Sequence, residues 1–378
     1  MPARPSGKVP VPAPRRLAAT LLLLLSSAGG GGGTGPPPSP PGDEERGYLS
    51  PLPDLGDLID ERDGSVVGDV SFLLDFAIVG FPKSGTTFMK DYLNRTTGTY
   101  VYEREFCMKR DGDVARFVAE YHALHVALNQ TDLGRKTVSF GIKCPGPLYR
   151  ANDLVYLREY FPETRLIVGL RHPVPWMGSF YNYQAYKNVT LPPLSELTGR
   201  CQRGRKVCTD RARFHAALAR LGKTPMEDGG EVALLFGTRY EVAEDGRRRT
   251  SDQARRRLGT VRLPNRVLLY EIGQVHDRDS SRHLSRSLER YIGLPPGALP
   301  EIEPFVQVKP RAVDICDGEY GEVRGLLVNH AIDAAEWLRE WFVRSPDVEV
   351  AAPESFYRFL EGWDGDPCDK KSNNERVT

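Results

Sequence analysis

The sequence predicts an α/β fold of three layers, a central parallel sheet flanked by helices. Two observations predict it. Short apolar runs of strand length recur and alternate with segments of helical period. The first run also leads directly into a glycine-containing loop that opens a helix, a P-loop-like arrangement.

The elements follow in order. Asp75 to Gly80 (DFAIVG) is a continuous apolar run, as a strand covered on both faces requires. Thr86 to Thr97 is predicted as a helix, with Phe88, Met89, Tyr92 and Leu93 as its apolar stripe and Gly98 as its stop. Val114 to Leu128 repeats the helical period through Phe117, Val118, Tyr121 and Leu124. Ser139 to Lys143 is a second strand, closed by Pro145. Asn152 to Phe161 is a short helix with Asn152 as N-cap, and Arg165 to Leu170 is a third strand. Arg266 to Glu271 is a fourth strand. Helices are predicted over Arg282–Ile292 and Gly325–Val343.

The pattern places one domain over residues 72–368, with a tail at 369–378. Between Tyr183 and Asn265 the apolar pattern weakens and arginines cluster, which marks a basic insertion with short helices around 184–264. Residues 1–28 carry Arg4, Lys8, Arg15 and Arg16 before an apolar run from Leu17 to Leu25, then Ser26-Ser27-Ala28. This is the pattern of a secretory signal peptide or a short signal anchor. Residues 29–71 open on Gly and Pro and read as a flexible stem. Sequons at Asn94, Asn129 and Asn188 fit a secretory route, and Cys201 and Cys208 are spaced for a local disulfide in an oxidising lumen. Lys plus Arg is 51 against 50 for Asp plus Glu, so no whole-molecule field gathers nucleic acid. An anionic ligand must be held by local groups.

Two segments supply such groups. In Ile78 to Thr87 (IVGFPKSGTT), a buried strand meets Lys83, Ser84 and Gly85, and Thr86 and Thr87 begin a helix. Amides at a helix start favour an anion, Gly85 admits close approach, and the hydroxyls and Lys83 add donors. A Walker A loop places its lysine after the last glycine of the loop, whereas Lys83 precedes Gly85. The third strand ends at Arg171 where a nucleoside triphosphatase needs an acid for magnesium. In the second segment, Arg171 to Ser179 (RHPVPWMGS), Arg171 and Ser179 are spaced to hold one phosphate, and a guanidinium fork matches its oxygens.

Together, PKSGTT and RxPxxxxxS resemble the paired nucleotide motifs of sulfotransferases that use 3′-phosphoadenosine 5′-phosphosulfate (PAPS). The resemblance is closest to the carbohydrate, heparan sulfate-type enzymes, and it extends through RVLLYEI and YIGLP. It implies that Lys83, Ser84, Gly85, Thr86 and Thr87 bind the 5′-phosphosulfate and that Arg171 and Ser179 bind the 3′-phosphate, with no metal required. It implies a Golgi-lumen enzyme that moves a sulfuryl group to a carbohydrate hydroxyl. It also marks Glu105, after Arg104, as catalytic base, with Glu103 its competitor, and Lys143 as a lysine near the transferring group. Pro145 stands where cytosolic relatives carry a catalytic histidine, so His172 is the remaining histidine rival. His122 and His125 fit core positions better than catalysis.

Arg200, Arg203, Arg205, Lys206, Arg211 and Arg213, with the triplets 247–249 and 255–257, suit either an anionic glycan or a solvated insertion. They lack the interleaved aromatics of a nucleic-acid groove. A nucleotide-dependent phosphotransferase and a catalytically silent nucleotide- or glycan-binding protein remain as alternatives.

Overall fold

The computed structural model describes residues 52–96, 98–129, 138–149, 151–202, 206–223, 263–303 and 312–369. The leader, the Gly/Pro segment, Arg203, Arg205, both arginine triplets, Thr131 of the middle sequon and the residues after 369 lie outside them. The helices used below are α1 Thr86–Leu93, α2 Asp111–Asn129, α3 Ala151–Tyr160, α4 Pro173–Tyr186, α5 Phe214–Leu218, α6 Arg278–Ile292, α7 Gly321–Glu340 and α8 Pro353–Glu361.

The chain divides into two compact units. One comprises the chain up to Leu73 together with Arg110–Val138. Its main element is α2, which buries Val114, Phe117, Val118, Tyr121, Leu124 and Leu128, the predicted stripe. Here the His122 ring hydrogen-bonds the Pro53 carbonyl at 2.7 Å through Nε2, and buried His125 meets the edge of Phe72. Both histidines have packing roles.

The other unit, Leu74–Lys109 with Ser139–Thr378, contains one six-stranded sheet. The strands are β1 Phe76–Gly80, β2 Thr99–Val101, β3 Ser139–Cys144, β4 Arg165–Leu170, β5 Val267–Glu271 and β6 Val348–Val350. All neighbours pair in parallel, in the order β2-β3-β1-β4-β5-β6. Phe76, Ile78, Ile167, Leu268 and Tyr270 share a core with Met89 and Tyr92 of α1 and Leu284 and Leu288 of α6. Residues of the opposite parity, Val79, Val168 and Leu269, are equally buried. Both faces are therefore covered, which is why the central residues of these strands are apolar.

Boundaries differ from the expectation where side chains intervene. α1 stops at Leu93, not near Thr97, because Asn94 turns the chain: its side chain donates to the Val101 carbonyl at 3.0 Å and accepts from the Val101 N–H at 2.7 Å. α6 starts four residues before the apolar pattern because the Asp277 carboxylate accepts from Ser280 N–H at 2.8 Å, an N-cap. α3 begins at Ala151, so Asn152 lies inside its first turn and is not the N-cap.

All six cysteines are paired, as Cys107–Cys144, Cys201–Cys208 and Cys316–Cys368. The local pair expected from spacing is present; the other two span 37 and 52 residues.

β1 sits between β3 and β4: from β1 the chain goes outward to β2 and back to β3 on one side, then crosses to β4 and continues outward to β5 and β6 on the other. Such a reversal opens a crevice at the strands' carboxyl ends. The 81–85 loop follows β1 and Arg171 follows β4, which places both segments at that crevice.

Candidate active site

The loop between β1 and α1 is held from behind. Trp176 Nε1–H of α4 donates to the Pro82 carbonyl at 2.6 Å, Arg171 Nη1 to the Lys83 carbonyl at 3.3 Å, and Tyr270 O–H to the Ser84 carbonyl at 3.1 Å. Three consecutive carbonyls are thus engaged by the body of the protein. Lys83 and Gly85 both adopt left-handed backbone, φ 69° and 79°. For Lys83 this costs about 1–2 kcal/mol. At position 85 the left-handed φ disfavours any side chain, and a Cβ would lie 2.5 Å from Ile272 Cδ1, so that side chain would have to move aside. Gly85 is the N-cap of α1, so the open amides of the helix start adjoin the loop. Ser84 is fully buried, and its Oγ has no hydrogen-bond partner among the described residues. An unpaired buried hydroxyl is costly and invites a ligand oxygen.

A second glycine serves the same loop from β4. A Cβ on Gly169 would collide with the Ser84 carbonyl and lie 2.6 Å from Cζ and Oη of Tyr270. Gly169→Ala is expected to destabilise the fold by about 1–3 kcal/mol through overpacking and to displace the loop. Urea unfolding read beside nucleotide affinity checks this; an unchanged affinity would show that the loop tolerates the shift.

Lys83 Nζ lies 4.8 Å from the centre of the Tyr183 ring of α4, and Lys187 Nζ lies 5.6 Å from the same ring. The contact with Lys83 is a cation–π contact of moderate strength.

The carboxylate and lysine picked out by resemblance meet beside Thr87. Lys143 Nζ donates to Thr87 Oγ1 at 2.9 Å and pairs with Glu105 Oε1 at 3.1 Å. The Lys143 side chain is 7% exposed and that of Glu105 is 56% exposed, so one end of this chain of contacts is buried and the other opens to solvent. Lys90 Nζ holds the Glu103 backbone carbonyl at 3.1 Å. It is Glu105, not Glu103, that the lysine engages.

Around Arg171 the environment is more acidic than the local sequence suggests. Glu271, at the end of β5, is buried, and burial raises its pKa to about 7. Its carboxylate accepts from Gly273 N–H at 2.5 Å and also bonds Trp363 and the His172 backbone, with Arg171 as nearby countercharge. β5 therefore does end in an acid, but one occupied by internal donors. Ser179 lies on α4, two turns beyond Pro173, and is half-buried.

His172 is not placed for proton transfer. Its Nδ1 accepts from Val174 N–H at 3.1 Å as the N-cap of α4, and Nε2 contacts the Gly365 carbonyl at 3.2 Å, which fixes the proton on Nε2. Burial lowers its pKa from 6.5 to about 4, and burial does the same to His215 of α5. His330 is lowered too, again by burial. A depressed histidine stabilises the fold above its unfolded pKa and loses that contribution as pH falls through the folded value. The loss is at most about 3 kcal/mol for each of the first two. Glu271 acts oppositely: its raised pKa favours the fold most below 4.5, and this contribution is lost as pH rises through about 7. Three groups against one leave the protein less stable at pH 4.5 than at pH 7. Urea midpoints at the two pH values test this, and equal midpoints would contradict it.

Of the basic cluster, Arg211 lies over the Tyr149 ring, 4.1 Å from its centre, and donates to the Lys206 carbonyl at 2.9 Å. That arginine is part of the packing. Among the described residues, no group of three or more His, Cys, Asp or Glu is arranged to hold a metal, and no helix is long and apolar enough to cross a membrane.

No protein-family model and no curated protein matches the chain. Among solved structures it is similar to the crystal structure of a sulfotransferase from Alicyclobacillus acidocaldarius. The two share 13% identity over 70% of this chain and 96% of that one, with a TM-score of 0.41.

Proposed function

We propose that the protein transfers a sulfuryl group from PAPS to a hydroxyl of a carbohydrate acceptor. The observation that carries this is the continuity of the site. Loop 81–87, Lys143 and Glu105 form one connected set, and Arg171 touches the loop backbone at Lys83. The residues fit the donor nucleotide: a buried unpaired Ser84 hydroxyl, a helix start with open amides, and cations on two sides.

When bound, PAPS supplies an activated sulfuryl group on a phosphate leaving group. In the transfer, the acceptor oxygen forms a bond to sulfur as the bond from sulfur to the 5′-phosphate oxygen breaks. Glu105 takes the acceptor proton; its half-exposed carboxylate is open to a hydroxyl, and Lys143 fixes one of its oxygens. Lys83 and the amides at the start of α1 stabilise the charge left on the phosphate oxygen. Arg171 and Ser179 bind the 3′-phosphate. The products are 3′,5′-adenosine bisphosphate and a sulfated glycan.

The setting on this reading is the secretory pathway, in the Golgi lumen, because three disulfides that use every cysteine suit an oxidising compartment. The carbohydrate acceptor rests on the motif resemblance, and an already anionic glycan on the arginines clustered in the sequence from Arg200 to Arg213.

The test is transfer of labelled sulfate from PAPS to a panel of glycans, with and without a chelator. Transfer that survives chelation supports the proposal. Release of phosphate from a nucleoside triphosphate, abolished by chelation, would replace it with phosphoryl transfer. Binding of the bisphosphate with no product from PAPS would identify a silent binding protein.

Arg171→Ala tests the second half of the site. Loss of one charge-assisted contact is expected to weaken 3′,5′-adenosine bisphosphate binding by about 10–100-fold, with a smaller effect on turnover at saturating PAPS. Calorimetric titration reads it, and an unchanged affinity would move the 3′-phosphate elsewhere.

A further inference from the structure

Glu105 and Lys143 come from separate segments. Lys143 is the penultimate residue of β3, whereas Glu105 lies beyond β2 in irregular chain. Backbone hydrogen bonds join the segments at two points: Tyr102 N–H donates to the Gly141 carbonyl and Phe106 N–H to the Lys143 carbonyl, each at 3.0 Å. The covalent join is Cys107–Cys144, with its Cα atoms 5.1 Å apart. One cysteine follows Glu105 by two residues and the other follows Lys143 directly. Between them the chain runs out through 110–138, which clusters with the other unit, and returns at Ser139. The disulfide therefore ties the point where the chain leaves the sheet unit to the strand on which it re-enters.

We propose that the Cys107–Cys144 disulfide is a positioning element of the transfer site, holding the Glu105 carboxylate against Lys143, so that its loss slows transfer without weakening donor binding. This rests on the proposed roles of Glu105 and Lys143. Nothing comparable is expected of Cys201–Cys208, which closes a short local loop seven residues long in sequence separation. Reduction by a dithiol passes two electrons and two protons to the disulfide, leaving two cysteine thiols and the cyclised, oxidised dithiol.

The experiment compares the full chain with Cys107→Ser/Cys144→Ser and Cys201→Ser/Cys208→Ser variants. It measures kcat at saturating PAPS and acceptor, and Kd for 3′,5′-adenosine bisphosphate. The first variant is expected to lose at least about tenfold in kcat, as misplacement of a reacting group does, with Kd within about twofold of wild type. The second variant should keep both values. Wild-type kcat in the first variant, or equal losses of kcat and binding, would overturn the proposal while leaving the reading of the function intact. A wild type that transfers no sulfate would overturn both. If the first variant does not fold, dithiothreitol titration of the wild type replaces it. Loss of kcat ahead of bisphosphate binding, restored by oxidised glutathione, supports positioning; simultaneous loss of both overturns it.

Discussion

Replacing Lys83 with alanine is expected to lower kcat for sulfuryl transfer by about 10²–10³-fold in a protein that still folds. The lysine sits on the loop that starts α1, in a left-handed backbone conformation that alanine must also adopt, so the backbone cost is nearly unchanged. What disappears is the ammonium, now 4.8 Å from the centre of the Tyr183 ring, on the loop that leads into the start of α1. Because in the proposed mechanism that ammonium acts on charge that develops during bond breaking, the loss should fall on kcat more than on nucleotide affinity. Circular dichroism and thermal unfolding confirm folding, and single-turnover transfer from labelled PAPS reads the chemistry. A kcat within threefold of wild type would remove Lys83 from the mechanism.

Glu105→Gln is expected to cost about 10²–10⁴-fold in kcat with bisphosphate affinity retained. Glutamine keeps an oxygen for Lys143 and matches the shape of glutamate, so packing and the link to Thr87 persist, whereas the ability to take a proton does not. Glu103→Gln is the matched control and should be near wild type, because the structure ties that residue through its backbone carbonyl to Lys90. Retained turnover in Glu105→Gln together with loss in Glu103→Gln would exchange the two assignments.

Much of this architecture was legible before any coordinates, for a physical reason. β1, β3, β4 and β5 are buried on both faces and are apolar except for a few residues near their ends such as Lys143, Arg165 and Glu271, and that signal is strong even in five or six residues. β2 and β6 are three-residue edge strands, Thr99–Val101 and Val348–Val350, too short to carry a period. The loop itself announced its chemistry because its glycine, lysine and hydroxyls are contiguous. The residues that shape it did not: Trp176 and Tyr270 act on Pro82 and Ser84 across 94 and 186 positions, through ring donors that look like ordinary core aromatics. Glu103 and Glu105 could not be separated because both flank Arg104 in a segment without periodicity. Only the location of Lys143 distinguishes them. The long disulfides were hidden for a similar reason, since a separation of 37 or 52 residues favours no particular partner.

The three side chains that grip Pro82, Lys83 and Ser84 by their carbonyls have a kinetic consequence. A loop whose curvature is fixed in advance has little conformational entropy left to lose when an anion arrives. Under the proposed function, donor capture is expected to need a swing of the Lys83 side chain away from Tyr183 and little rearrangement of the main chain, so that its rate is set by encounter and electrostatic attraction and falls as ionic strength rises.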